Sequence, residues 1–194
     1  MRGVEPAEGH FVIHFDTDEA GLLAGIVDQL TEILADARPL DPLPVADDPF
    51  AQWEAEFAGG VPRSIEDPDA LDDVDPVIRR LFPDAYSQDP AASDDFRRFT
   101  QPALAAQKLD EADIVLSDLQ ATDRRGRCTV SMTHLGAWLK TLNNVRLALA
   151  VRLDITDEIS ADEASQRPEE DPRSWLYEVY AWTGWLQECV LAVI

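Results

Sequence analysis

Cysteine, histidine and lysine are scarce in this chain of 194 residues, and the scarcity excludes several kinds of chemistry. The two cysteines, Cys128 and Cys189, stand far apart and form no CxxC pair, so neither a redox motif nor a zinc-type spacing can be read from them. Both are expected as small buried hydrophobes, and a disulfide is not expected in a reducing compartment. Of the three histidines, His10 and His14 would share one side of a strand. At about 3.3 Å per residue they lie about 13 Å apart, too far to hold one metal ion. His134 has no carboxylate or cysteine at ligand spacing, so no metal site is expected. Gly-rich phosphate loops, GxSxG elbows and HExxH helices are missing as well. The sequence therefore assigns no catalytic residue and no cofactor. Carboxylates are so numerous that no acid–base pair stands out from the rest.

Long apolar runs are also lacking. Nothing approaches the roughly 18 residues that a membrane helix needs. The stretch Met1–His10 has one arginine and no apolar segment, unlike a secretory leader. The cytoplasm is the expected location.

What is abundant is negative charge, a formal −22. Such a field repels phosphates and anionic membrane surfaces and favours basic partners. No nucleic acid or membrane partner is expected. Arginine outnumbers lysine 14 to 2, which reads as the codon usage of a GC-rich genome. The hydrophobic share, 45%, is normal for a globular protein, and the length suits a single domain spanning 1–194.

Periodicity supplies the elements. Phe11-Val12-Ile13-His14-Phe15 is β-branched and aromatic and reads as a strand. Leu22, Leu23, Ile26, Val27, Leu30, Ile33 and Leu34 share one face of an amphipathic helix from Thr17 to Ala37, with Asp16 and Glu19 as a capping-box variant. Residues 39–90 hold nine of the 13 prolines and are dense in Asp and Glu. Proline and like charge oppose compact helix there. Two short helices, Pro49–Ala58 and Pro76–Phe82, are expected in this acidic segment, with disorder over 40–48 and 59–73. Ser93 is a candidate cap for a helix that Pro102 interrupts, unless Thr100 starts a new one. The continuation runs to Ala121. After an Arg-rich turn, Cys128–Ser131 reads as a second strand. Thr133–Leu153 is apolar on more than one side, which marks a helix buried on more than one side. Beyond a polar loop through Pro172, Ser174–Ile194 forms the last helix, with Trp175, Trp182 and Trp185 expected in the core. These elements predict a mainly α fold: a helical bundle around a central helix in the C-terminal half, with a small two-stranded β-hairpin.

A few polar residues stand out. Arg146 interrupts the main stripe of the central helix, and a buried guanidinium needs a partner, for which Glu178 is the natural choice. Asn143 and Asn144 are poor helix formers and imply a hydrogen-bonding role. Together these four are the ligand-binding candidates, and an anionic ligand would be expected. A cleft beside Arg146 would mark a site, whereas an enclosed pair would only fix the fold. Trp53 and Phe57 are candidate anchors for a protein partner. Arg124, Arg125 and Arg127 read as a solvated turn or as a clasp for the acidic segment. The apolar end, Val190–Ile194, could be covered by homo-oligomerisation through the last helix.

Three stretches are distinctive in combination: Phe96-Arg97-Arg98-Phe99-Thr100; Trp138-Leu139 through Leu142-Asn143-Asn144-Val145-Arg146-Leu147; and Tyr177-Glu178-Val179-Tyr180-Ala181-Trp182 with Leu186-Gln187-Glu188. In this order and spacing they resemble an actinobacterial domain-of-unknown-function family whose genes often neighbour that of the ClpS proteolytic adaptor. The likeness covers nearly the whole chain. The family pattern places an aspartate after the first asparagine, where this chain has Asn144. The resemblance implies no activity, and it points to regulated proteolysis and the Clp system through gene neighbourhood alone. Some members carry a transcriptional-regulator label, which the acidic charge does not favour.

The function expected is a non-catalytic protein-interaction or regulatory module. The alternatives are a small anionic-ligand-binding protein or enzyme with a pocket at Arg146, and a transcriptional regulator.

Overall fold

Strand alternation and helical stripes both bury one face, and the computed structural model shows how those faces meet. It describes residues 3–16, 18–37, 75–86 and 88–194, without the side chains of 90–91, 94–95 and 98. Trp53, Phe57 and the expected Pro49–Ala58 helix lie outside the described residues.

The strand read from Phe11 onward is β2, His10–His14, and it sits in the middle of three antiparallel strands. β3, Arg127–Ser131, pairs on one side with Phe11 opposite Val130 and Ile13 opposite Cys128. On the other side lies β1, Gly3–Ala7, joined through a two-residue turn at Glu8 and Gly9. The two-stranded hairpin expected from the sequence is thus a three-stranded sheet. Val4 is the only large apolar residue of β1, and Pro6 has no N–H to donate. Such a sequence suits an edge strand, which needs neither a buried face nor a complete ladder.

Helix α1, Glu19–Asp36, buries Leu23, Val27, Leu30 and Leu34. Glu19 accepts the Asp16 N–H at 2.6 Å, the carboxylate half of the expected capping box. Helix α2, Pro76–Leu81, is capped by Asp75, which accepts the Val77 N–H, and it buries Val77 and Leu81.

Helix α3, Pro90–Gln120, is one helix of 31 residues. Its N-cap is Asp89, accepting from the Ala92 N–H with Pro90 behind it. Ser93, the expected cap, instead clamps the preceding loop: its hydroxyl donates to the Tyr86 carbonyl and accepts the Tyr86 N–H. Pro102 does not break the helix. A proline costs the helix one N–H donor and crowds the carbonyl four residues back, but packing on the C-terminal side carries the helix on. Ala105, Ala112, Val115 and Leu119 are all buried there.

A short 3-10 turn, Met132–His134, leads into α4, Leu135–Arg152. This is the central helix. It packs against α1, α2, α3 and the last helix, and it buries Trp138, Leu142, Val145 and Leu149. The polar loop expected after it contains a further helix, α5, Glu158–Ser165. Asp157 and Ser160 form a reciprocal capping box at its start, and Ala164 is its buried residue. A helix with so little apolar surface leaves no periodic signal. The last helix, α6, is Pro172–Leu191, capped by Asp171. Among the described residues no helix is long and apolar enough to cross a membrane.

Candidate functional site

The central helix meets α3 along a polar seam. Asp118 on α3 accepts the Trp138 indole N–H at 2.9 Å and receives His134 Nδ1 at 2.9 Å. Asp118 is mostly buried, so these two donors replace its lost water. Its backbone carbonyl also takes the Cys128 thiol at 3.3 Å. Burial pushes that thiol up to about 11, and burial with the neighbouring Glu188 raises Cys189 as well. Both cysteines are free. Cys128 is buried as expected, whereas Cys189 is only half-buried. A raised thiol holds little thiolate, the form that attacks oxidants and disulfides. In the native protein both cysteines should therefore react with dithionitrobenzoate at neutral pH more slowly than free cysteine, Cys128 slowest, and denaturant should abolish the difference. Rapid native labelling at Cys128 would contradict the buried environment.

Two turns nearer the N-terminus of α3, the same seam opens into a groove of about 390 Å³. Leu104, Gln107, Lys108 and Glu111 line it from α3, and Leu139, Lys140, Asn143 and Asn144 from α4. The spacings of 3 and 4 place each set on one helical face. Lys108 donates to Asn144 Oδ1 at 2.9 Å, and its ammonium lies 5.8 Å from the Phe82 ring centre. Glu111 Oε1 accepts from Lys140 at 2.5 Å and from Gln107 at 2.9 Å. Asn144 is buried, whereas Asn143 is exposed on the rim. Burial lowers the Lys108 pKa and Lys140 adds to the effect, against the opposite pull of Glu111. The only two lysines of the chain thus converge on one groove, a placement hidden in a composition that reads as codon usage.

Arg146 lies elsewhere, in the seam between α4 and α6. Its Nη1 donates to Gln187 Oε1 at 3.0 Å, and its guanidinium carbon sits 5.3 Å from the Tyr180 ring centre. Gly184 makes room: a Cβ there would come within 3.2 Å of the Arg146 Nε. Gln187 is itself held, donating to the Leu139 carbonyl at 3.3 Å. The expected pair with Glu178 does not form. At about 100° per residue, Glu178 points roughly opposite to Tyr180, away from the helix that carries Arg146. Arg146 is half-buried against an amide and a ring, not against a carboxylate. The structure thus brings Asn143 and Asn144 together in the groove and leaves Arg146 and Glu178 outside its lining.

Glu178 belongs to a second feature. Trp175, Glu178, Trp182, Trp185 and Cys189 recur at intervals of 3 and 4 along one side of α6. Of the tryptophans expected in the core, Trp175 and Trp185 are instead substantially open, at 56% and 42% exposure, whereas Trp182 is half-buried and packs against the core. Val179, Thr183, Leu186 and Val190 fill the inner face, and their smaller side chains leave the indoles to one side. Trp175, Glu178 and Trp182 border a shallow depression with Glu19 and Leu22 of α1. The Trp182 Nε1 is buried there without an acceptor among the described residues. The arginine turn is a mixed surface: Arg124 and Arg125 flank a cleft with Asp16, Asp18 and Asp123.

Residues 1–194 match the family described as Domain of unknown function (DUF2017). The chain belongs to that family. Relatives of this DUF2017 chain include the oxidative stress regulator AosR of Mycobacterium tuberculosis and that of Mycobacterium bovis, each 31% identical over 134 residues. A Mycobacterium leprae relative, provisionally assigned the same name, is 32% identical over 133 residues. The matched part covers 62% of this chain and 58% of each of these relatives, so the chain spans well under two thirds of their length. No solved structure matches this DUF2017 chain.

Proposed function

We propose that this protein is a regulator acting by contact with another protein, within the oxidative-stress response for which its mycobacterial relatives are named. The observation that carries the reading is the tryptophan stripe of α6. Exposed indoles at helical spacing are costly to hydrate and are the residues most enriched where binding energy concentrates. Glu19 and Glu178 border the same depression as Trp175 and Trp182, Glu188 lies beside Cys189, and the whole chain carries −22. The partner this surface suits is a basic amphipathic segment, its apolar residues on the indoles and its cations over the ring faces and beside the glutamates. The same charge argues for regulation through a protein in preference to direct contact with DNA. Trp53 and Phe57 in the acidic segment are a second pair of proposed anchors. Regulated proteolysis by the Clp system remains the process suggested by the family resemblance. Self-association through α6 is the competing occupant, opposed by the like charge of two acidic rims.

A photo-crosslinking residue at Trp185, used in the native host under peroxide, tests the reading, with the same residue at Asp113 on α3 as control. The expected product is a salt-sensitive adduct, specific to position 185, with a protein whose crosslinked peptide is basic. Adducts that are homodimers, or that form equally at 113, would overturn it. Trp185→Ala should leave the unfolding midpoint nearly unchanged, since exposed substitutions move stability by about 0.5 kcal/mol or less.

A further inference from the structure

We propose that the groove between α3 and α4 binds a small organic anion, with its carboxylate or phosphate head group on Lys108 and its apolar body along Leu104 and Leu139. This is a ligand site on a different face from the tryptophan stripe, and it does not depend on the protein-contact reading.

Lys108 makes no ion pair among the described residues, although Glu111 lies near enough to act on it electrostatically. The chain has 38 Asp and Glu against 16 Lys and Arg, so carboxylates outnumber cations more than two to one. Lys140 pairs with Glu111. Arg152 has Asp75, and Arg173 has Asp154. Lys108 is less exposed than these, yet its hydrogen bond goes to a neutral amide, Asn144. An ammonium carries three N–H donors. Two of those on Lys108 therefore have no acceptor among the described residues. The nearby Glu111 is already engaged twice, by Gln107 and Lys140. A half-buried cation facing a cavity with spare donors is arranged to receive an anion.

The remaining walls fit the same ligand class. Asn144 is itself buried, and the bond it accepts fixes where the ammonium points. Phe82 supports the ammonium from behind, 5.8 Å from ring centre to nitrogen, an attraction that stabilises the charge without neutralising it. Asn143 stands exposed on the rim, where its amide can reach a polar substituent. Leu104 and Leu139 supply apolar wall. A volume near 390 Å³ lies within the range of small-molecule sites, about 300–1,000 Å³. Burial lowers the Lys108 pKa, the sign expected of a cation whose solvation is poorly replaced, and a bound anion would reverse that shift.

The scarcity of lysine makes the test direct. In protein labelled on lysine with carbon-13, only two ε-CH₂ environments exist, Lys108 and Lys140. The probes are 3-phenylpropionate, phenyl phosphate and inorganic phosphate, with 3-phenylpropanol as the uncharged control. We expect a saturable shift of the Lys108 signal with at least one aryl anion, together with a rise in the Lys108 pKa. The alcohol should give neither, and Lys108→Met should abolish binding. Circular dichroism establishes that this variant is folded. Should it fail to fold, Leu139→Ala, which leaves the cation in place, is expected to weaken the aryl probes and spare inorganic phosphate. Response to the carboxylate alone or to the phosphate alone identifies the head group, and either supports the site. No saturation up to about 10 mM, the weak end for a specific small ligand, would overturn the proposal. So would equal binding of the alcohol, or unchanged binding in Lys108→Met.

Discussion

Gly126→Ala is expected to cost about 3 kcal/mol or more, because two penalties coincide at this position. Gly126 has φ +77°, a left-handed conformation that costs an L-residue about 1–2 kcal/mol. A Cβ built there would also lie 2.2 Å from the Phe15 carbonyl oxygen. That oxygen is backbone and cannot swing aside. The Gly126 carbonyl accepts the Phe15 N–H at 2.8 Å, extending the β2–β3 ladder by one rung. Moving Gly126 away would lose that bond and lift Phe15 from the core, where it is buried. The turn has no slack either: Asp123 accepts the N–H groups of Arg125 and Arg127 through its carboxylate, and Gly126 donates to the Asp123 carbonyl. Gly9 is the internal control. Its φ is +73° but nothing lies within 4 Å of a Cβ, so Gly9→Ala should cost only the backbone share, about 1–2 kcal/mol. Urea denaturation of both variants measures the difference. Equal losses would mean that the close approach to Phe15 is not what requires glycine.

Trp138→Ala should be comparably damaging, at about 3–5 kcal/mol for removing a fully enclosed large aromatic side chain. Trp138 is completely buried at the middle of the packing between α3 and α4. Its indole N–H is one of the two donors that replace water around Asp118. Trp138→Phe separates the contributions. It keeps most of the volume and drops the hydrogen bond, so a loss of about 1–3 kcal/mol is expected, the cost of leaving a buried acceptor short of a donor. Against a typical domain stability of about 5–15 kcal/mol, the alanine variant should shift the urea midpoint far more than the phenylalanine variant. Matching midpoints would place the role of Trp138 in its polar contact alone.

Elements whose burial repeats along the chain were legible in the sequence. Leu23, Val27, Leu30 and Leu34 announce α1, and the stripe through Trp138, Leu142, Val145 and Leu149 announces a helix covered on several sides. The missed elements, β1 and α5, bury little of their own. Pro102 suggested a break because local rules charge for a missing donor, and they do not see the contacts of Ala105 and Ala112 farther along α3. Trp175 and Trp185 of α6 were misplaced for a related reason. Helical spacing identifies a shared face, but not which of two adjoining faces, the indoles or Val179 and Leu186, turns inward.

The candidate site was less legible still. Asn143 and Asn144 stood out because paired amides are unusual inside a helix, and both do line the groove. Lys108 and Glu111 gave no local signal, since their significance depends on Asn144 and Lys140, 36 and 29 residues away along the chain. Arg146 was expected to meet a carboxylate or several carbonyls, but it meets Gln187 and Tyr180 beside Gly184, a choice that depends on how α6 is rotated against α4.

By itself the sequence determined a mainly helical chain, a strongly negative surface and a central helix, because composition and hydrophobic period act locally and sum along the chain. Only the tertiary structure decided where the two lysines meet and which indoles stay open to solvent. Those outcomes depend on the rotation of each helix against its neighbours, and that rotation is fixed by the packing of all of them at once.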